Sequence, residues 1–435
     1  MAIRASCSSR FRYTEGGPYM HDSKDHTSPK LHSSTEVISG SYDPALSLGS
    51  ARPAVFRSST YVFPTPEAAE RAFAVATGRS RAAQGENVPL IYARLNHPNA
   101  EIVEDHLVPL EAGARAAAVF NSGMAAIMTA LCAFAKPGDR LVYTVPLYGG
   151  TQHLIHEFLE PFGITGVAVL AGDTAGLDRA IRETPNVSVV LIETPANPTM
   201  RMTSIAAAAQ AARACATPPI VMVDNAFLGP VFQHPLQLGA DVVLYSATKY
   251  LSGFSDLLAG AALTADPALI TRIKARRIIF GNILPPDECW MLDGRLPTIA
   301  LRMNRASKNA QRIAEHLVKN PKVSRVYYPS LFEDAEQQRI RETQCDYPGA
   351  LFSLELRGGK RAAFDFLRHL RIVSNAVSLG GVESLACHPK TTTHSPLSPE
   401  EHQAAGITDG LVRVSVGIED WRDLLADFEQ ALDKL

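Results

Sequence analysis

The run Ser246-Ala247-Thr248-Lys249 closes an apolar stretch and sets two hydroxyls beside an amine. A lysine at a buried strand end can act as a Schiff-base nucleophile when its surroundings lower its pKa, and Ser and Thr hydroxyls suit a phosphate ester. A lone lysine there more often lays its stem along apolar surface and keeps its ammonium in water. Upstream, IVMVD ends in Asp224, a carboxylate that is costly to hold at a sheet's end without a cationic partner. A protonated pyridine nitrogen is such a partner, although an Asp that caps a helix or turn is the plainer alternative. Ser122-Gly123-Met124 opens a helix, with free backbone amides and a positive dipole end where an anion can sit. An ordinary N-cap explains the same three residues. Tyr148, in PLYGGT, offers a ring face and an ionisable hydroxyl, for stacking on a heterocycle and moving a proton, or it is a structural tyrosine.

The elements that must carry these residues decide between the readings. From Ala114 onward, short β-branched runs alternate with amphipathic stretches: AAAVF, RLVYT, VAVL, SVVLIE, IVMVD and DVVLYS, with helices between them. Such alternation predicts an α/β fold with a mainly parallel sheet covered on both faces. Ligands bind there at the carboxyl ends of the strands, which puts weight on Asn121 to Met124, Pro146 to Thr151, Glu193 to Pro198, Asp224 to Asn225 and Ser246 to Lys249. Each motif alone favours its ordinary explanation, but all four lie at one sheet edge. Together they provide for a phosphate, a ring face, a ring nitrogen and an aldehyde, the parts of pyridoxal phosphate.

Beyond this region the spacing predicts a long helical stretch from about Pro286 to Asn320, then a smaller C-terminal α/β domain with strands VSRVYYP, ALFSLEL and LVRVSVG. Residues 1 to about 45 have little periodic apolar content and read as a mobile arm. Their basic, acid-poor start admits a transit peptide, or Met20 as the true start. The 435 residues suffice for two or three domains. With 42 Lys plus Arg against 44 Asp plus Glu, the net charge of -2 offers no field for nucleic acid, and no apolar run is long enough for a membrane span. Six cysteines without a C-x-x-C pair argue against a zinc site or disulfide framework, so no metal is expected and a reducing cytoplasm fits.

The motifs PAVFRSSTYVF, YARLNHPN, NSGMAAI, PLYGGT, ETPANP, VDNAF, YSATKYLSGFSD, SLGGVESLACHP and LVRVSVGIED resemble, in order and spacing, the Cys/Met-metabolism (trans-sulfuration) family of fold-type-I pyridoxal-phosphate enzymes. The likeness runs over roughly residues 50 to 435. It implies a large domain with a mainly parallel seven-stranded sheet, and a division into an arm (1–45), a segment reaching the neighbouring subunit's site (46–100), a cofactor-binding domain (101–290) and a C-terminal domain (291–435). It implies pyridoxal 5'-phosphate held as an aldimine on Lys249, with Tyr148 stacked on the ring, Asp224 at the pyridine nitrogen and Asn197 at the ring hydroxyl. Gly123, Met124, Ser246 and Thr248 then hold the phosphate, joined by Tyr92 and Arg94 from the neighbouring subunit. Arg413 clamps the substrate carboxylate, with Ser378 beside it. The shared site implies a dimer at least, and a homotetramer built as a dimer of dimers.

The resemblance further implies a sulfur amino acid or an activated homoserine as substrate. Val377 and the ending THSPLSPEEHQAAGITDG-LVRVSVGIED are similar to the methionine γ-lyase branch, where cystathionine enzymes often carry an acid at Val377. Gly150 departs from that branch, which typically has Cys there, and is similar to the cystathionine enzymes. The favoured expectation is γ-elimination, giving α-ketobutyrate, ammonia and a thiol. γ-Replacement on an O-acyl-homoserine follows closely, and a β-eliminating cystathionine lyase is a further rival. A catalytically silent scaffold predicts loss of Lys249, Asp224 or Arg413, and all three are present.

Overall fold

A computed structural model describes residues 31–39, 42–83 and 86–435. Seven strands form the large sheet: β1 (Ala116–Phe120), β2 (Arg140–Val145), β3 (Thr165–Leu170), β4 (Val187–Glu193), β5 (Ile220–Asp224), β6 (Val242–Tyr245) and β7 (Gly260–Thr264). Their order is β1-β7-β6-β5-β4-β2-β3, and every pairing is parallel except those of β7, which runs antiparallel to both its neighbours.

Burial on both faces explains the near-continuous apolar runs. In β4, Val189 and Leu191 join one core with Ile127, Leu131 and Ile155, while Val190 and Ile192 join another with Ile205, Ala208 and Ala212. Alternate residues therefore point to opposite helical layers.

Five strands form the second sheet, β8 (Val323–Tyr327), β9 (Leu351–Leu356), β10 (Ser374–Asn375), β11 (Leu385–Cys387) and β12 (Leu411–Ser415), in the order β10-β11-β12-β9-β8. Only the short β10-β11 pair is parallel. The expected helical stretch after residue 286 is broken, into Pro286–Asp293, a short turn and Ile299–Leu317. The last of these spans two cores: Ile299, Met303 and Ala306 pack with the large sheet's Val243 and Leu263, and Ala310, Ile313 and Leu317 with the second sheet's Phe352 and Leu354.

The described part of the expected mobile arm needs correction. Helix Ser33–Ser39 buries Val37 at 3% exposure in the same core as Leu107 and Leu110, so one apolar residue anchors a segment that composition alone reads as free. The rest of that arm, including the transit-peptide and Met20 readings, lies outside the described residues. No described helix is long and apolar enough to cross a membrane.

Candidate active site

Lys249 follows β6 in a tight turn, where its N–H donates to Ser246 O and the Thr248 N–H to Ala259 O. The side chain reaches the second sheet's domain, and Nζ donates to Ser378 Oγ at 2.8 Å. Burial, and then the Arg413 charge, lower the amine from its ordinary value to about 8, as a Schiff-base lysine requires. Gly380, at φ +78°, lies so close to this turn that an added Cβ would meet Tyr250 N at 2.8 Å. A glycine is needed for the two domains to meet at the amine.

From Lys249 the predicted residues connect by contact. Arg413, 3% exposed in the middle of β12, donates from Nη2 to Ser378 O at 2.9 Å and from Nη1 to Asn197 Oδ1 at 3.0 Å. Asn197 N–H in turn donates to Glu193 Oε1 at 3.1 Å, and Tyr148 N–H donates to Glu193 Oε2 at 2.7 Å. Glu193 and Asp224 are register partners at the ends of β4 and β5. Burial, and then Asp224, push the Glu193 carboxyl up. Burial also raises Asp224, against one bond accepted from Ala226 N–H at 3.0 Å.

On the other flank, Ser122 caps helix Gly123–Phe134 and accepts from Ala125 N–H at 3.1 Å, leaving the first-turn amides of Gly123 and Met124 without intrahelical partners. A Cβ on Gly123 would meet Ser246 Cβ at 2.9 Å, so the glycine lets the Lys249 turn and this helix end form one hollow. Met124 closes the circuit, because a Cβ built on Gly150 would meet its Sδ at 3.2 Å and Tyr148 Cε1 at 2.5 Å.

Thr248, and the Tyr92 and Arg94 expected at a neighbouring subunit's site, have other partners within the chain. The Thr248 hydroxyl donates to Ala259 O at 3.2 Å and accepts from Ala259 N–H at 3.0 Å, so it is engaged by β7's approach. Tyr92 and Arg94 are not joined by contact to the Lys249 group. Tyr92 bridges Thr60, and Arg94 donates to Ile278 O at 2.7 Å. Sequence reasoning assigned no role to Glu193, or to His394, which is buried beside the site and lowered to about 4 by burial and then by Arg413.

The hollow fits pyridoxal phosphate on three counts. A half-buried carboxylate, Asp224, awaits a cation, a helix N-terminus offers amides to an anion, and a lysine amine of lowered pKa lies between them. Arg413 Nε is buried and finds no acceptor among the described residues, which leaves guanidinium capacity for a carboxylate. No group of described His, Cys, Asp and Glu residues is arranged to hold a metal.

Fold and site together define an enzyme of the α/β pyridoxal-phosphate class. The chain belongs to the Cys/Met metabolism PLP-dependent enzyme family, whose model matches residues 34–433, and its cofactor is accordingly pyridoxal phosphate. It is 39% identical to the L-methionine gamma-lyase of Pseudomonas putida over 94% of this chain and 99% of that one. It is 41% identical to the cystathionine beta-lyase of Bacillus subtilis over 79% of this chain and 86% of that one. Among solved structures, the cystathionine gamma synthase of Xanthomonas oryzae pv. oryzae in complex with cystathionine superposes with a TM-score of 0.83, at 32% identity over 93% of this chain and 99% of that one.

Proposed function

We propose that the protein is a carbon-sulfur lyase that carries out γ-elimination on a sulfur amino acid, converting methionine and water to α-ketobutyrate, ammonia and methanethiol. The observation that carries this reading is Val377, 52% exposed and adjacent to the Ser378 that touches Lys249. A neutral branched side chain next in sequence to the residue that touches the reacting amine suits a thioether methyl. The distal ammonium of cystathionine calls for a carboxylate there. The long match to a methionine γ-lyase supports the same choice.

Bound pyridoxal phosphate supplies an electron sink that acidifies Cα and then Cβ. Arg413 holds the substrate carboxylate through the edge that carries its free Nε, oriented by Asn197 and the Ser378 carbonyl. Lys249 Nζ would remove the Cα proton and move protons between Cα and Cβ, with Ser378 Oγ, which accepts from it, fixing its position. Tyr148 would stack on the ring and assist proton transfer to the departing sulfur. Asp224 would balance the ring nitrogen's positive charge, and Asn197 would meet the ring hydroxyl. The Gly123 and Met124 amides and the Ser246 hydroxyl would hold the phosphate, and Thr248, whose hydroxyl bonds to Ala259, would join them only on giving up those bonds.

Tyr92 and Arg94 complete the site of a second copy, within a homotetramer of paired dimers that works in the cytoplasm. Gly150 favours a second reading, γ-replacement on an acylated homoserine, because it lets the Tyr148 ring occupy space that a Cβ would take. Val377→Glu tests the choice of methionine over cystathionine. It should lower kcat/KM for methionine and raise that for cystathionine, shifting the ratio by about tenfold, near 1.4 kcal/mol. An unchanged ratio would remove the argument from Val377.

A further inference from the structure

Glu193 is the last residue of β4 and is 5% exposed. A strand-end acid would ordinarily turn to solvent; here burial and the neighbouring Asp224 raise its pKa, and two hydrogen-bond donors offset only part of that rise. Here the donors are two main-chain groups from different loops, Tyr148 N–H on Oε2 at 2.7 Å and Asn197 N–H on Oε1 at 3.1 Å. Its own N–H donates to Thr144 Oγ1 on β2 at 3.1 Å, which fixes it from the neighbouring strand. One carboxyl therefore ties the loop after β2 to the loop after β4. Each oxygen accepts one of the two N–H groups, so the two carboxyl oxygens hold the two loops separately. The tie extends further: Asn197 Oδ1 accepts from Arg413 Nη1 at 3.0 Å, so the peptide that Glu193 holds also sets the guanidinium. Tyr148 is 44% exposed, so its ring depends on its backbone more than on surrounding side chains.

We propose that Glu193 is a positioning residue whose carboxyl locks the Tyr148 and Asn197 backbones at the separation the cofactor ring requires and, through Asn197, aims Arg413. This rests on Tyr148 and Asn197 meeting the cofactor and not on which sulfur amino acid is consumed. Glu193→Gln keeps the volume but sets an amide NH2 against one of the two N–H groups. In the full-length protein with pyridoxal phosphate, this variant should weaken cofactor binding about tenfold and diminish the visible circular dichroism of the bound ring. It should also lower kcat more than it raises KM. If Glu193 acts through Tyr148, the losses in Glu193→Gln and Tyr148→Phe should combine to less than their sum.

Unchanged cofactor affinity and dichroism in Glu193→Gln, or fully additive losses, overturns the proposal. Tyr148→Phe and Asn197→Ala are run alone, because if neither alters affinity or dichroism it is the underlying placement of those residues that fails. Should Glu193→Gln not fold, Thr144→Val removes the acceptor of the Glu193 N–H and should shift the same two signals in the same direction, and no shift there overturns the proposal equally.

Discussion

Lys249 holds its reactivity through desolvation: burial and the Arg413 guanidinium lower its amine to about 8. A lowered lysine pKa means that the neutral, nucleophilic form grows as pH rises through that value, whereas below it the ammonium cannot attack an aldehyde. Cofactor-free protein should therefore take up pyridoxal phosphate about tenfold faster per pH unit below about 8 and level off above it, followed by absorbance after mixing. A rate flat between pH 6 and 9 would contradict the lowered amine. Lys249, Asp224, Tyr148 and the Ser122-Gly123 cap were legible in the sequence because each ends an apolar run with a side chain of distinctive chemistry. Glu193 lay in one of those strand-end stretches and still received no role. Its partners are backbone N–H groups, which every residue but proline carries and no motif displays.

Elements were legible where their periodicity was strong. Six strands of the large sheet read directly as short apolar runs, but β7, GAALT, did not, since it opens on glycine and has no β-branched residue before its last position. Its composition follows from its position. A Cβ at Gly260 would meet Ser122 O at 2.1 Å, so a small residue lets β7 pass the turn that opens the anion-binding helix. The helices Pro98–Leu107 and Pro267–Phe280 are joined to β1 by a buried charge cluster that spacing could not reveal. Glu104 accepts from Arg277 Nη1 at 2.7 Å, Lys274 Nζ at 2.5 Å and Val119 N–H at 3.0 Å, and Arg277 is 2% exposed. Arg277→Met leaves that carboxylate short of one cation and should cost about 3 to 5 kcal/mol of stability. Denaturant unfolding measures this, and a loss below about 1 kcal/mol would mean that Lys274 alone suffices.

At the scale of the molecule, the site stands where two cores meet: Lys249, Tyr148 and Asp224 come from the large sheet, Ser378 and Arg413 from the second domain. The two-part organisation was legible as two sets of strands, but the helix Ile299–Leu317, shared by both cores, blurs any boundary drawn from composition. The single chain also leaves Leu258, Ile279 and Leu301 exposed by 68%, 69% and 73%. Ile279 adjoins the Ile278 that Arg94 touches, which favours a second copy at this edge. Mixing Arg94→Ala chains with Lys249→Ala chains, each inactive alone, should restore about a quarter of wild-type activity if subunits pair at random across shared sites. No recovery after verified exchange would mean that Arg94 serves its own chain's site or none. The most direct test of carbon-sulfur γ-elimination is product analysis of purified, cofactor-loaded protein given methionine, cystathionine, or an O-acyl-homoserine with cysteine, in separate reactions. α-Ketobutyrate with an equivalent of methanethiol from methionine is the expected result. Pyruvate from cystathionine, or cystathionine formed from the acyl-homoserine with little keto acid, and no turnover of methionine in either case, would contradict it.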